Sequence, residues 1–189
     1  MYLFFDTETT GLPLDWKAPA DDLDNWPRMV QAAWILHDDG GNEISDRSYI
    51  IRPEGFVIPA AAALVHGITT QRALDEGCEL AGVLRELGEA IAAADYLVGH
   101  NIDFDEKIVA AEFLRHGMDN ILVGKNKICT MKSATKYCAI ESRYGYKWPK
   151  LSELHYELFR TGFAEAHNAA ADIRITAKCY WEMKRRGIL

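Results

Sequence analysis

The sequence predicts an α/β protein in which a mixed β-sheet is covered by helices. Three observations carry that reading. The first third holds strand-like runs separated by turn signals. The remainder repeats apolar residues at helical spacing. Short apolar segments such as Tyr96-Leu97-Val98-Gly99 interrupt those helices. At 189 residues, 49% hydrophobic and 26% charged, the chain suits one domain, residues 1–189, with a full core.

The elements follow in order. Tyr2-Leu3-Phe4-Phe5 opens a buried strand that stops at Thr9-Thr10-Gly11. Residues 12–27 contain three prolines and many acids and read as a loop. In Arg28 to His37, Val30, Ala32, Trp34 and Leu36 alternate, as on a half-buried strand. Asp38-Asp39-Gly40-Gly41-Asn42 is a hairpin signal, and Glu43 to Arg52 returns before Pro53. A three-strand meander follows. Pro59 can start a short helix through the alanines to Val65, ending at Gly67. Thr69 or Thr70 can cap the next. Leu80, Val83, Leu84, Leu87 and Ile91 mark a helix over 79–94 with one buried stripe. Asp103 to His116 is a further helix. Ile128 and Cys129 suit an edge strand, Thr130 to Ala139 a helix, and residues 141–150 a polar, aromatic loop. Ser152 can cap a helix to Arg160, and Asn168 a last helix to Arg186.

Composition narrows the function classes. No apolar run is long enough to span a membrane, and no signal peptide opens the chain, so a cytoplasmic location is expected. Cys78, Cys129, Cys138 and Cys179 form no C-x-x-C pair and read as reduced thiols. The net charge of −7 argues against a general nucleic-acid coat. It hides a division, because residues 1–50 carry ten acids and three bases, whereas 125–150 carry seven bases and Glu141 as the one acid. That segment is either a solvated basic face or a surface that meets a polyanion.

Three acidic stations stand out. Asp6 and Glu8 lie two residues apart on a strand, so they share a face at its C-terminal end. Two carboxylates so close repel unless a cation sits between them, and hard divalent cations are the natural partners. Taken alone, D-x-E is common and is ordinarily a pair of solvated strand-end acids. The second station, GHNIDFD from Gly99 to Asp105, follows a short buried strand. Asn101 and Asp103 can cap the helix, and Asp105 falls on its first turns, where the dipole favours a carboxylate. Phe104 can be plain core. The third, HNAAADI from His167 to Ile173, puts a histidine before the last helix and Asp172 just inside it, with alanines keeping that face narrow.

Together DTETTGL, HNIDFD and H-x-x-x-x-D resemble the three motifs of the DEDDh 3′–5′ exonucleases, most closely the DnaQ-like (polymerase III epsilon-like) group of the ribonuclease H-like superfamily. VHGIT, Val65 to Thr69, resembles that group's segment between the first two motifs, and the likeness runs from residue 2 to about 180. The resemblance implies a three-layer α/β/α sandwich on a mixed five-stranded sheet. It implies a 3′–5′ exonuclease acting on the 3′ end of single-stranded nucleic acid, DNA ahead of RNA, with two divalent cations, Mg²⁺ or Mn²⁺. Asp6, Glu8, Asp105 and Asp172 would hold the metals, and His167 would be the general base, suited by an ordinary pKa near 6.5. Thr9, Thr10, Gly11 and Leu12 would shape the pocket for the terminal nucleotide, an amide at Thr7 or Thr9 would bind its 3′-hydroxyl, and His66 would touch it. Asn101 and Phe104 would be support or base-contact positions. Tyr137, Tyr144, Tyr146 and Trp148 in the basic segment could stack on the strand.

Two departures qualify the likeness. The acidic loop 13–27, with Trp16 and Trp26, is longer than the family's usual turn. The chain ends after its last helix, without the segment that ties the proofreading subunit to its polymerase, so a stand-alone nuclease is expected, a polymerase partner remaining open. The alternatives are an oligoribonuclease-like enzyme on short RNA and a non-catalytic nucleic-acid-binding module on the same fold.

Overall fold

The computed structural model describes residues 1–163 and 168–189. Five strands form the main sheet: β1 (Tyr2–Thr9), β2 (Met29–His37), β3 (Glu43–Ile50), β4 (Tyr96–Gly99) and β5 (Asn126–Cys129), in the order β3-β2-β1-β4-β5. β1, β2 and β3 pair antiparallel, and β4 and β5 run parallel to β1. Among the described residues seven helices accompany the sheet: α1 (Ala60–His66), α2 (Thr70–Glu76), α3 (Leu80–Ala93), α4 (Ile102–Arg115), α5 (Thr130–Cys138), α6 (Leu151–Phe159) and α7 (Ala169–Arg185). This is the mixed five-stranded α/β/α sandwich that the sequence led us to expect.

The strand period of two sets the layers. Leu3 and Phe5 of β1 join Leu84, Leu87 and Ile91 of α3 and Ile108 and Phe113 of α4 in the largest core. Phe4 points the other way, into a cluster with Val98 of β4 and Ala177 and Tyr180 of α7. Ala33 and Ile35 of β2 pack on Ala169 and Ile173 of the same helix. Outside it, α5, α6 and α7 share a further cluster built on Ala134, Leu154, Leu158, Cys179 and Met183. β2 therefore departs from the alternation its sequence suggests: all nine of its residues are buried. An inner strand with helices on both sides has no face left for water.

Several local expectations shift. The fourth helix starts at Ile102, with Asn101 at its N-cap position in a left-handed conformation (φ 74°) and no side-chain cap. Ser152 does not cap α6. Lys150 holds that position, and Glu153 accepts its amide at 2.7 Å. Within 141–150 a small hairpin forms from β6 (Glu141–Ser142) and β7 (Gly145–Tyr146). Thr69 and Asn168 do cap α2 and α7, Asn168 accepting from the amides of Ala170 and Ala171.

The acidic loop 13–27 is tied down from inside and from below. Asp15 donates its amide to Asn25 Oδ1, Asn25 donates back to Asp15 O, and Trp26 Nε1 donates to Pro19 O. Beneath it Glu112 of α4 is fully buried. Its Oε1 accepts from Arg28 Nε at 2.8 Å and the Met29 amide at 2.9 Å and lies 3.1 Å from Arg115 Nη1. Arg115 in turn donates to the carbonyls of Leu23 and Trp26. Removing one partner of a buried ion pair strands the others in a poor solvent. Glu112→Ala is expected to lower stability by roughly 3–5 kcal/mol, read as a lower urea midpoint, and to open residues 13–27 to limited proteolysis.

Candidate metal centre and nucleotide pocket

Strand parity decides which way each residue of the first motif points. Asp6 and Glu8 follow Phe4 toward α7, whereas Thr7 follows Phe5 toward α4. β1 outruns its parallel neighbour: β4 pairs only with Tyr2, Leu3 and Phe4, so the acidic end of β1 projects past it. The opposite pairing skips a residue between Glu8 and Thr9, where Gln31 and then Met29 are the partners. Such irregularities turn a strand end and are frequent beside active sites.

Asp172 reaches the same place from the first turn of α7. Ala169 and Ile173 are buried against β2, and the small Ala169 lets the helix lie close to the sheet. As a result Asp6, Glu8 and Asp172 each offer a carboxylate oxygen within 4.8 Å of the others.

Asp105 arrives by a different route. A Cβ at Gly99 would lie 3.0 Å from Ile102 Cβ, so the close turn from β4 into α4 favours glycine. The turn buries Asp105, at 3% exposure, against β1, where its Oδ1 accepts from the Thr7 amide at 2.9 Å and the Thr7 hydroxyl at 2.7 Å. Asp103, one turn position away, is exposed and pairs with Lys132. The two first-turn acids of the second motif thus have separate fates.

The electrostatics mark a strained cluster of like charges. Burial, then the charges of Asp105, Glu8 and Asp172, hold the Asp6 carboxyl well above its ordinary range. Burial and the charges of Asp172 and Asp105 push Glu8 up to about 7. Burial raises Asp105 too, against the two hydrogen bonds from Thr7. A hard cation relieves such repulsion, and carboxylate oxygens are the donors that such ions prefer. The residues present therefore fit a divalent metal.

Beside the carboxylates lies a cavity of about 410 Å³, lined by Glu8, the Thr9–Leu12 turn, Ala61, Ala62 and Val65 of α1, His66 and Phe104. Thr10 closes the turn: its amide donates to Arg28 O and its hydroxyl accepts from the Arg28 amide. Gly11 has a φ of 156°, a region other residues rarely enter, and Leu12 stands 71% exposed. His66 is buried. Its Nδ1 accepts from the Ile68 amide at 3.1 Å, which leaves the proton on Nε2, and that atom has no hydrogen-bond partner among the described residues. Burial lowers the pKa of His66, so the ring is a neutral donor at pH 7.

Two expectations change here. Thr7 lines the cavity, but its amide is committed to Asp105, so it is not free for a 3′-hydroxyl. Asn101, expected as a support or base-contact position, lines a neighbouring cleft. The basic segment is largely spent internally: Lys125 donates to the carbonyls of Ala92 and Ala94, and Lys127, Lys132 and Lys147 pair with Glu106, Asp103 and Glu153. His167 lies outside the described residues. The wall from α1 was missed in the sequence, although a run of alanines leading into VHG was its signal.

Fold and site together define an α/β protein with a metal-competent carboxylate centre and a pocket at the C-terminal end of its first strand. The family model described as Exonuclease (RNase T) matches residues 3–180. The chain belongs to that exonuclease family. Among solved structures it is similar to exonuclease I of E. coli in complex with a dA16 oligonucleotide, at 22% identity and a TM-score of 0.75 over 97% of this chain and 40% of that one. The zinc-bound form of the E. coli enzyme with single-stranded DNA gives 22% and 0.77, over 98% and 40%. Exonuclease I from Methylocaldum szegediense gives 22% and 0.74 over the same shares. At this identity the likeness establishes the fold, and the chain spans about 40% of the length of those proteins. Among curated proteins no match was found. Among the described residues no helix is long and apolar enough to cross a membrane.

A carboxyl with a raised pKa stabilises the fold fully below its unfolded value and loses that contribution as pH rises through its folded value. For Glu8 this window runs from about 4.5 to about 7, so the metal-free protein loses stability from this cluster across it. Asp6→Asn removes one of the clashing charges. In EDTA at pH 7.5 it is expected to melt a few degrees above the wild type, where about 1 kcal/mol is worth roughly 2–4 °C. Mn²⁺ is expected to raise the melting temperature of the wild type but not of the variant. A wild-type melt that saturating Mn²⁺ and Mg²⁺ leave in place would count against the metal centre.

Proposed function

We propose that the protein is a metal-dependent 3′–5′ exonuclease that removes nucleoside 5′-monophosphates from single-stranded nucleic acid, DNA in preference to RNA. The observation that carries this is the meeting of Asp6, Glu8 and Asp172 within 4.8 Å, next to a cavity of nucleotide size, in a chain of the exonuclease family. The oligonucleotide complexes of the similar exonuclease I structures support a single-stranded DNA substrate.

Asp6, Glu8 and Asp172 would hold Mg²⁺ or Mn²⁺, and Asp105 a second ion through the carboxylate edge not given to Thr7. When bound, the cations supply charge neutralisation at the scissile phosphate and acidify water. The Thr9–Leu12 turn and α1 receive the terminal nucleotide, with Leu12 against its base. His66 Nε2 donates a hydrogen bond to an oxygen of the nucleotide. His167 takes the proton from the attacking water. The water oxygen bonds to phosphorus as the bond to the 3′-oxygen of the preceding residue breaks. That oxygen becomes the new 3′ hydroxyl, and the released nucleotide keeps the phosphate at its 5′ carbon.

With 5′-labelled single strands and Mg²⁺ or Mn²⁺, a ladder shortening from the 3′ end is expected on DNA, with slower loss of RNA. EDTA and Asp6→Ala abolish it. His167→Ala is expected to lower kcat by about 10²–10⁴-fold while keeping the metal-induced rise in melting temperature. Intact DNA and RNA with either metal would rule out the exonuclease reading in favour of a binding module.

A further inference from the structure

Next to the nucleotide pocket lies a second cleft of about 360 Å³. Trp16, Trp26, Phe104 and Trp148 line it, with Asn101 and Lys107 as polar neighbours. Phe104 lines both cavities, so one ring separates them. Trp16 packs on that ring with centroids 5.6 Å apart, and Lys107 Nζ lies 5.9 Å from the Trp26 ring.

The two outer indoles are held in the open. Trp16 is 55% exposed and Trp148 60% exposed, although tryptophan is ordinarily well buried. Their backbones are fixed. Asp15, the neighbour of Trp16, is bonded to Asn25 in both directions. Pro149, the neighbour of Trp148, offers its carbonyl to His100 Nε2 at 3.0 Å, and His100 Nδ1 lies 3.0 Å from Thr130 Oγ1. The rim acids Asp103 and Glu106 are offset by Lys132 and Lys127. The cleft thus offers aromatic faces on a fixed frame, with its rim acids paired and Lys107 as a cation in its lining, beside the terminal pocket.

We propose that this cleft is a second nucleobase subsite, in which a base on the 5′ side of the terminal nucleotide stacks on the indoles of Trp16 and Trp148. The inference rests on the exonuclease reading for the direction of the strand. Every base has a π-face, so stacking here grips the strand without selecting sequence. The cleft draws on the loop 13–27 and the segment before α6, so both segments help to hold the strand.

The test compares a short and a long substrate. The methyl ester of thymidine 5′-monophosphate carries nothing on its 5′ side that could stack in the cleft, whereas an octathymidylate does. Trp16→Ala and Trp148→Ala are expected to raise KM for the octamer about tenfold more than for the ester. In the wild type, an abasic residue moved along the octamer on the 5′ side of the terminal nucleotide raises KM at one position, and in Trp16→Ala that position is lost. Equal losses on ester and octamer, or an octamer KM that neither variant changes, overturn the subsite. A wild type inert on both substrates defeats the exonuclease reading instead. The cleft is then judged by quenching of tryptophan fluorescence as the octamer is titrated in EDTA: loss of the quenching in Trp16→Ala supports it, and undiminished quenching in both variants overturns it.

Discussion

The site depends first on the two hydrogen bonds that Thr7 gives to Asp105. They join an inner strand to the first turn of α4 across 98 residues of sequence, inside the protein. Hydrogen bonds to a charged group away from water are among the stronger ones, and a buried carboxylate without them is costly. The clamp fixes the depth at which α4 meets β1. It thereby positions Phe104, the neighbour of Asp105, as the wall common to the pocket and the cleft.

On the other face of β1 the constraint is repulsive. Asp6 and Glu8 are crowded by Asp172 while the surrounding core withholds water. The fold keeps this arrangement because the flanking residues are tightly packed: Leu3, Phe4 and Phe5 before it, and Ala169 and Ile173 beside it, are almost fully buried. Rigidity on both sides prevents the carboxylates from turning away into solvent. The cluster is thus a local instability carried by good packing elsewhere, as is usual where a protein prepares a binding site.

Much of this was legible in the sequence, for physical reasons that differ from place to place. The i, i+2 spacing of Asp6 and Glu8 fixed their shared face, since strand geometry has only one period. Asn168 and Thr69 read correctly as caps because their side chains act on their own next turn. What failed to show depends on distant partners. The helical period puts Asp105 on the buried stripe with Ile108 and Val109 and leaves Asp103 off it, but the partners that decide their roles, Thr7 and Lys132, are distant in sequence. The alternation in β2 suggested a half-exposed strand, and only the sandwich shows both faces covered. The cations of 125–150 looked available because their acidic partners, Glu106, Asp103 and Glu153, lie elsewhere in the sequence or on the next helix. Trp16 and Trp148, 132 positions apart, could not be read as one cleft.

The placement of Asp172 on α7 has a consequence for the life of the chain before it is finished. Synthesis runs from the N-terminus, and segments fold as they emerge. Asp6 and Glu8 leave the ribosome well before Asp172, the third member of their carboxylate group, which comes with α7. Until α7 docks on β1 and β2, the growing polypeptide has no complete cage for a cation. Any cutting activity that needs that cage therefore waits until α7 has been made and has docked.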